Sequence, residues 1–216
     1  MGKKRILCFG DSLTWGFDPE RRLRFGDDRR WTGVLQNLLG DEYTVIEEGQ
    51  NGRTIASDDP AEGEKNGLKY IIPCIESQTP LKLLIVMLGG NDLKRKFSYS
   101  SMDIAGEMQI FLEKVIAHNH FRMNDSMKIL LISPPIMGTK CPDSWLADCF
   151  DFENAKKVCG ELADWYKQLS EMYHTYFLDA AKVVEVSDAD GVHIDAEGHR
   201  KLAEAIRDVI KNEIEL

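Results

Sequence analysis

The chain has 216 residues, a formal net charge of −9 at pH 7 and 43% hydrophobic residues. That length and apolar content suit a single α/β domain over 1–216 with a sizeable buried core. The acidic balance argues against the basic footprint that duplex nucleic acid or a membrane surface requires, leaving small molecules as the expected partners.

No stretch of 18 apolar residues occurs, so no membrane-spanning helix is expected. The basic start "MGKKRILCFGD" loses its apolar run at Gly10-Asp11, too early for a signal peptide. Ile6 stands where a myristoylation motif wants Ser or Thr. Cys8, Cys74, Cys141, Cys149 and Cys159 form an odd set without a C-x-x-C pair, which fits reduced thiols and a cytoplasmic location.

In chain order, short apolar runs alternate with amphipathic stretches, the pattern of βαβ units that build a parallel sheet. The runs at 5–9, 43–48, 81–88, 127–133 and 175–179 predict strands. The third and fourth are apolar nearly throughout, as strands covered on both faces are. Helices are predicted over about 31–39, 63–78, 102–119, 152–173 and 196–213. In the fourth of these, Ala155, Val158, Leu162, Trp165, Tyr166, Leu169 and Tyr173 recur at three- and four-residue steps and share one face. Asp195 is the expected N-cap of the last helix. No repeat or linker marks a domain boundary. One sheet with helices on both faces is the simplest architecture.

Between the first strand and helix, "PERRLRFGDDRRW" crowds five arginines around Asp27 and Asp28. It reads as a solvated loop with internal ion pairs, or as a subunit contact.

Doubly wound sheets bind ligands outside the carboxyl ends of their strands. Four motifs fall there: "GDS" after the first strand, "QNGRT" after the second, "LGGND" after the third and "DADGVH" between the fifth strand and the last helix. A serine hydroxyl becomes a nucleophile when a base takes its proton, and the base works best when a carboxylate orients it. Ser12 supplies the hydroxyl, and Asp190 with His193 supplies the pair. The backbone amides of Ser12 and Gly52 and the side-chain amide of Asn91 are candidate donors to an oxyanion. Asp11 reads as a brace for the turn. Read alone, Ser12 is also a common helix cap, and Asn91-Asp92 a common turn.

The blocks Gly10-Asp11-Ser12-Leu13, Gly52, Gly89-x-Asn91-Asp92 and Asp190-x-x-His193, in this order, resemble the SGNH/GDSL hydrolase family across almost the whole chain. With "RWTGVL", "VIEEG" and "SPP", the likeness is greatest to its bacterial arylesterase and acyltransferase branch. The resemblance implies a flavodoxin-like three-layer α/β/α sandwich on a five-stranded parallel sheet. It implies Ser12 as nucleophile, His193 as base, Asp190 as its orienter, and Ser12, Gly52 and Asn91 as oxyanion hole. In "EEGQNGRT" both Gly49 and Gly52 offer an amide, and alignment on Arg53-Thr54 favours Gly52. No cofactor and no metal are implied. His118 and His120 diverge on a helix and lack a completing cluster.

The reading is an esterase of short acyl esters, able to pass the acyl group to water or to another alcohol. An acetylated sugar, a lysolipid and a thioester present the same carbonyl. Phosphoryl transfer through an aspartyl-phosphate and a non-catalytic binding module are the competing classes. The first usually has a second acid two residues after Asp11, where Leu13 stands. Trp15, Phe17 and Trp145, with the apolar segment 134–150, are candidate walls of the cleft, whereas Trp31 reads as core. The Arg-rich segment and the likeness to an oligomeric branch predict a homo-oligomer.

Overall fold

The structure, a computed structural model, describes residues 2–216. Five parallel strands form one sheet: β1 (Lys4–Gly10), β4 (Tyr43–Gly49), β5 (Leu83–Met87), β6 (Lys128–Ser133) and β7 (Tyr176–Asp179), in the order β4-β1-β5-β6-β7. Two short strands, β2 (Phe17–Asp18) and β3 (Leu23–Arg24), pair antiparallel as a separate ribbon.

The two-residue period of the strands divides the core. Leu7, Phe9, Leu84, Val86 and Leu131 face α3 (Gly67–Gln78), α4 (Ser101–Met123) and α5 (Phe152–Met172). Ile6, Cys8, Ile85, Met87 and Ile132 face α2 (Trp31–Leu39) and α6 (Ala196–Asn212). The layers are thus α/β/α, with the strand order of a flavodoxin-like fold. Its order reverses beside β1, where β4 lies on one side and β5 on the other. The crevice opposite their carboxyl ends receives the residues after β1, β4 and β5.

The strands and helices lie near their predicted positions, with informative differences. The helix expected from 63 starts at Gly67, capped by Asn66, whose side chain accepts from the Lys69 amide. Residues before it form an irregular loop around Gly63 in the left-handed region. The helix expected over 102–119 runs on to Met123, where Asn124 ends it in the left-handed conformation. Asp195 caps α6, accepting from the Gly198 amide at 2.7 Å.

The Arg-rich segment is more than a solvated loop. Arg21, Arg22, Arg24 and Arg29 are exposed, but Arg30 is buried. Arg30 Nε donates to Glu47 at 2.7 Å and its Nη1 to Asp27 at 2.5 Å. Glu47 also pairs with Arg24 at 3.1 Å, so one carboxylate on β4 ties the ribbon to the sheet edge. Trp31 is wholly buried.

Candidate active site

Strand β1 ends at Gly10 and a single helical turn, α1 (Ser12–Trp15), follows. Asp11 rather than Ser12 is the N-cap of this turn: its Oδ1 accepts from the Leu13 amide at 3.0 Å. The Ser12 hydroxyl is thereby left free for other partners. Burial pushes the Asp11 carboxyl up to about 6, against the pull of the Leu13 amide, His193 and Arg53.

His193 Nε2 lies 2.9 Å from Ser12 Oγ, and its Nδ1 lies 2.7 Å from Asp190 Oδ2. Asp190 is fully buried, and its Oδ1 accepts from the amides of Val192 and His193, each at 2.9 Å. Burial alone would raise this carboxyl. The hydrogen bond and charge of His193 and the two amides outweigh it and hold Asp190 below the usual carboxylate range. The turn at Gly191, with φ of +70°, closes the i, i+3 geometry. Phe17 lies over the imidazole with ring centroids 4.3 Å apart.

The loop after β4 and the turn after β5 complete the site. Gly52 has φ of +81° and lines the cavity beside Ser12. Gly49 still belongs to β4 and lies against the backbone of Thr14 and Trp15, away from the cavity. Asn91 lines the cavity in the 3-10 turn Asn91–Leu93, and its Nδ2 donates to the Arg53 carbonyl at 3.2 Å.

The cavity holds about 280 Å³. Phe17, Met137, Trp145, Leu146 and Phe150 form its apolar wall. Phe17 and Trp145 meet at 6.0 Å, and the guanidinium of Arg22 sits 5.2 Å over the Trp145 ring. Trp15 stands outside this wall. It packs against Phe17, with ring centroids 6.4 Å apart, and under the guanidinium of Arg24.

Three features escape the motif reading. Arg53 is buried, stacks 4.1 Å over Phe9, and donates to the carbonyls of Gly10 and Glu48. It thereby ties the Ser12 turn to the Gly52 loop. Lys94 and Glu62, 3.0 Å apart, place an ion pair at the cavity rim. Asp92, next to Asn91, and Glu107 bring two carboxyl groups onto the consecutive amides of Ile55 and Ala56. Only their chemical types were visible in the sequence, since their partners lie far along the chain. Among the described residues, no group of three His, Cys, Asp or Glu is arranged to hold a metal ion. His120 pairs instead with Asp125 at 2.9 Å.

A serine, an imidazole and a buried carboxylate in this relation have the geometry of a serine-hydrolase triad. The chain belongs to the GDSL-like Lipase/Acylhydrolase family, whose model matches residues 8–201. Its fold superposes on Est24, a carbohydrate acetylesterase from Sinorhizobium meliloti, with a TM-score of 0.90 and 34% identity over 98% of this chain and 100% of that one. The aryl esterase of M. smegmatis gives a TM-score of 0.89 and 37% identity over the same shares. An acetylxylan esterase from Xylanibacter ruminicola is 25% identical over 225 residues. That match covers 96% of this chain and 43% of the relative, so the chain spans less than half of its length.

Proposed function

We propose that the protein is a serine esterase that hydrolyses short-chain acyl esters through an acyl-enzyme on Ser12. The observation that carries this reading is the unbroken chain from Ser12 Oγ to His193 to buried Asp190, opening on an apolar cavity. His193 takes the serine proton as Oγ attacks the ester carbonyl. Asp190 holds the ring with Nδ1–H toward itself, so Nε2 is the basic nitrogen, and it stabilises the imidazolium that forms. The amides of Ser12 and Gly52 and the carboxamide of Asn91 receive the oxyanion. His193 then returns the proton to the leaving alcohol, and water or a second alcohol resolves the acyl-enzyme. No cofactor or metal enters these steps.

Phe17 and Trp145 are read as substrate-binding walls, and Trp15 as their support. Acetylated carbohydrate is the alternative class of acyl donor, favoured by the relatives named as acting on acetylated carbohydrates. The 1–216 chain is read as one hydrolase domain in the cytoplasm, self-associating through the exposed arginines of the ribbon. Light scattering that gives a fully active monomer defeats the last point.

Turnover of p-nitrophenyl acetate tests the mechanism. Ser12→Ala and His193→Ala should each lower kcat by ~10³-fold or more while the protein stays folded. Asn91→Ala should lower it by ~10²-fold as a lost oxyanion donor. Near-normal turnover in either triad variant removes the proposal. A change confined to KM in Asn91→Ala moves that residue from the oxyanion to substrate binding.

A further inference from the structure

Asp92 follows Asn91 directly and is fully buried. Its Oδ1 accepts from the Ile55 amide at 3.0 Å. Its Oδ2 is buried too, and among the described residues no donor reaches it. An ionised carboxylate has only acceptors to offer, and an acceptor without a donor in a dry interior is strongly disfavoured. The same oxygen is satisfied when it carries a proton and faces an acceptor.

Glu107 on α4 supplies that acceptor: it holds the Ala56 amide, next in the chain to the Ile55 amide that Asp92 holds, and the two carboxyl groups interact. Its Oε2 accepts from the Ala56 amide at 3.1 Å, and its Oε1 from Ser57 Oγ at 2.5 Å. Ser57 in turn lies 2.7 Å from the Tyr99 hydroxyl. Two carboxyl groups from different elements therefore grip the consecutive amides of Ile55 and Ala56, just beyond Gly52. Asn91 holds the same loop through the Arg53 carbonyl. Two full negative charges at this spot would drive the loop and the turn apart, whereas one proton between them makes a bond.

We propose that Asp92 is a positioning residue that works as a neutral carboxylic acid: it donates to Glu107, and the pair clamps the Gly52 loop to the Asn91 turn. The remaining groups around it agree. Asp11 after β1 adds a negative field, Tyr166 on α5 commits its hydroxyl to the Leu88 carbonyl at 3.1 Å, and Tyr99 serves Ser57. Burial raises the Asp92 carboxyl well above its usual range; the Ile55 amide opposes this, and Glu107 and Asp11 add to it. Loss of the proton at high pH would spread the two oxyanion donors, lowering kcat with little change in KM.

This inference rests on the esterase reading, and its test separates the two. Asp92→Asn keeps both bonds, accepting from Ile55 through Oδ1 and donating to Glu107 through Nδ2, but has no proton to lose. With p-nitrophenyl acetate it should keep kcat within about threefold at pH 7 and lose the wild-type decline on the alkaline side. Asp92→Ala should lower kcat by ~10²-fold at nearly unchanged KM, the effect of misplacing donors by about an ångström.

Urea unfolding reads the same proton without turnover. The raised acid binds its proton in the folded state, so wild-type stability should fall with rising pH relative to Asp92→Asn. Asp92→Asn as damaged as Asp92→Ala, or wild-type pH dependence of both kcat and stability in Asp92→Asn, overturns the inference. Retained turnover in Ser12→Ala would instead defeat the esterase reading and leave the urea comparison to decide on the acid pair.

Discussion

His199 shows how one buried side chain makes the stability of the fold depend on acid. It lies on α6, buried, with its ring edge-on to Phe25 at 5.3 Å. Its Nδ1 accepts from the Trp31 amide at 3.2 Å, the first free donor of α2, whose own N-cap, Arg30, makes no side-chain cap. The proton must then sit on Nε2, which has no partner among the described residues. Burial, helped by the charge of His193, pushes this imidazole down from 6.5 to about 3. The unfolded chain therefore takes up a proton that the folded chain refuses. Stability from neutral His199 is full above about 6.5 and is lost as the pH falls toward about 3. Asp11 acts in the opposite sense. Its folded value near 6 exceeds the ordinary 3.8, so its contribution is full below the latter and is lost as pH rises through the former. His199→Gln keeps an acceptor for Trp31 without a titration. Because Asp11 contributes equally to both proteins, the change in urea midpoint from pH 7 to pH 5 should be more negative in the wild type than in this variant. Equal differences would show that His199 titrates normally in the folded protein.

At the scale of elements, the site depends on how closely α1 lies on β4. A Cβ built on Gly49 would fall 2.1 Å from the Trp15 nitrogen and 2.5 Å from the Thr14 carbonyl carbon. Both are backbone atoms, so no side-chain rotation relieves the clash. Gly49→Ala should destabilise by ~3 kcal/mol through overpacking. It should also lower kcat, because the turn that moves carries Ser12. Gly160 is the contrast: it is exposed within α5, and a Cβ there meets nothing within 4 Å. Gly160→Ala should stabilise by ~0.5–1 kcal/mol, since alanine loses less backbone freedom in a helix. Thermal unfolding of the two variants reads both signs, and a Gly49→Ala protein with unchanged Tm and activity would refute the close docking of α1.

Across the whole molecule, three separate segments wall one small space. The ribbon gives Phe17, the long connection after β6 gives Met137, Trp145, Leu146 and Phe150, and the turn before α6 gives His193. The cavity volume of about 280 Å³ lies at the lower edge of ordinary ligand sites, ~300–1,000 Å³. Under the proposed mechanism such a space would suit a short acyl group, and its apolar wall would lower local water during deacylation. Acetyl donors should therefore exceed octanoyl donors in kcat/KM, and added primary alcohol should divert product from acid to ester. Product analysis with both donors checks the two halves separately. A preference for octanoyl refutes the narrow cavity, and acid as the sole product refutes transfer.

The sequence by itself determined the sheet, its covering helices and the order of the four strand-end blocks. Apolar period and run length are local properties, and they persist whatever lies across the core. Ser12, Asn91, Asp190 and His193 could be singled out for the same reason: each lies in a short local block, after β1, after β5 or before α6. Only the tertiary structure decided between Gly49 and Gly52 as a cavity residue. Both have the same chemistry, but one is held in β4 against Thr14 and Trp15 while the other lies where the loop turns back on Ser12. It also placed Trp15 outside the cavity wall, packed on Phe17 and Arg24. Arg53 on Gly10, His199 on Trp31 and Asp92 against Glu107 join residues far apart in the chain. Such partnerships are set by burial and by the need to satisfy polar groups in the closed fold, and no local pattern of residues carries them.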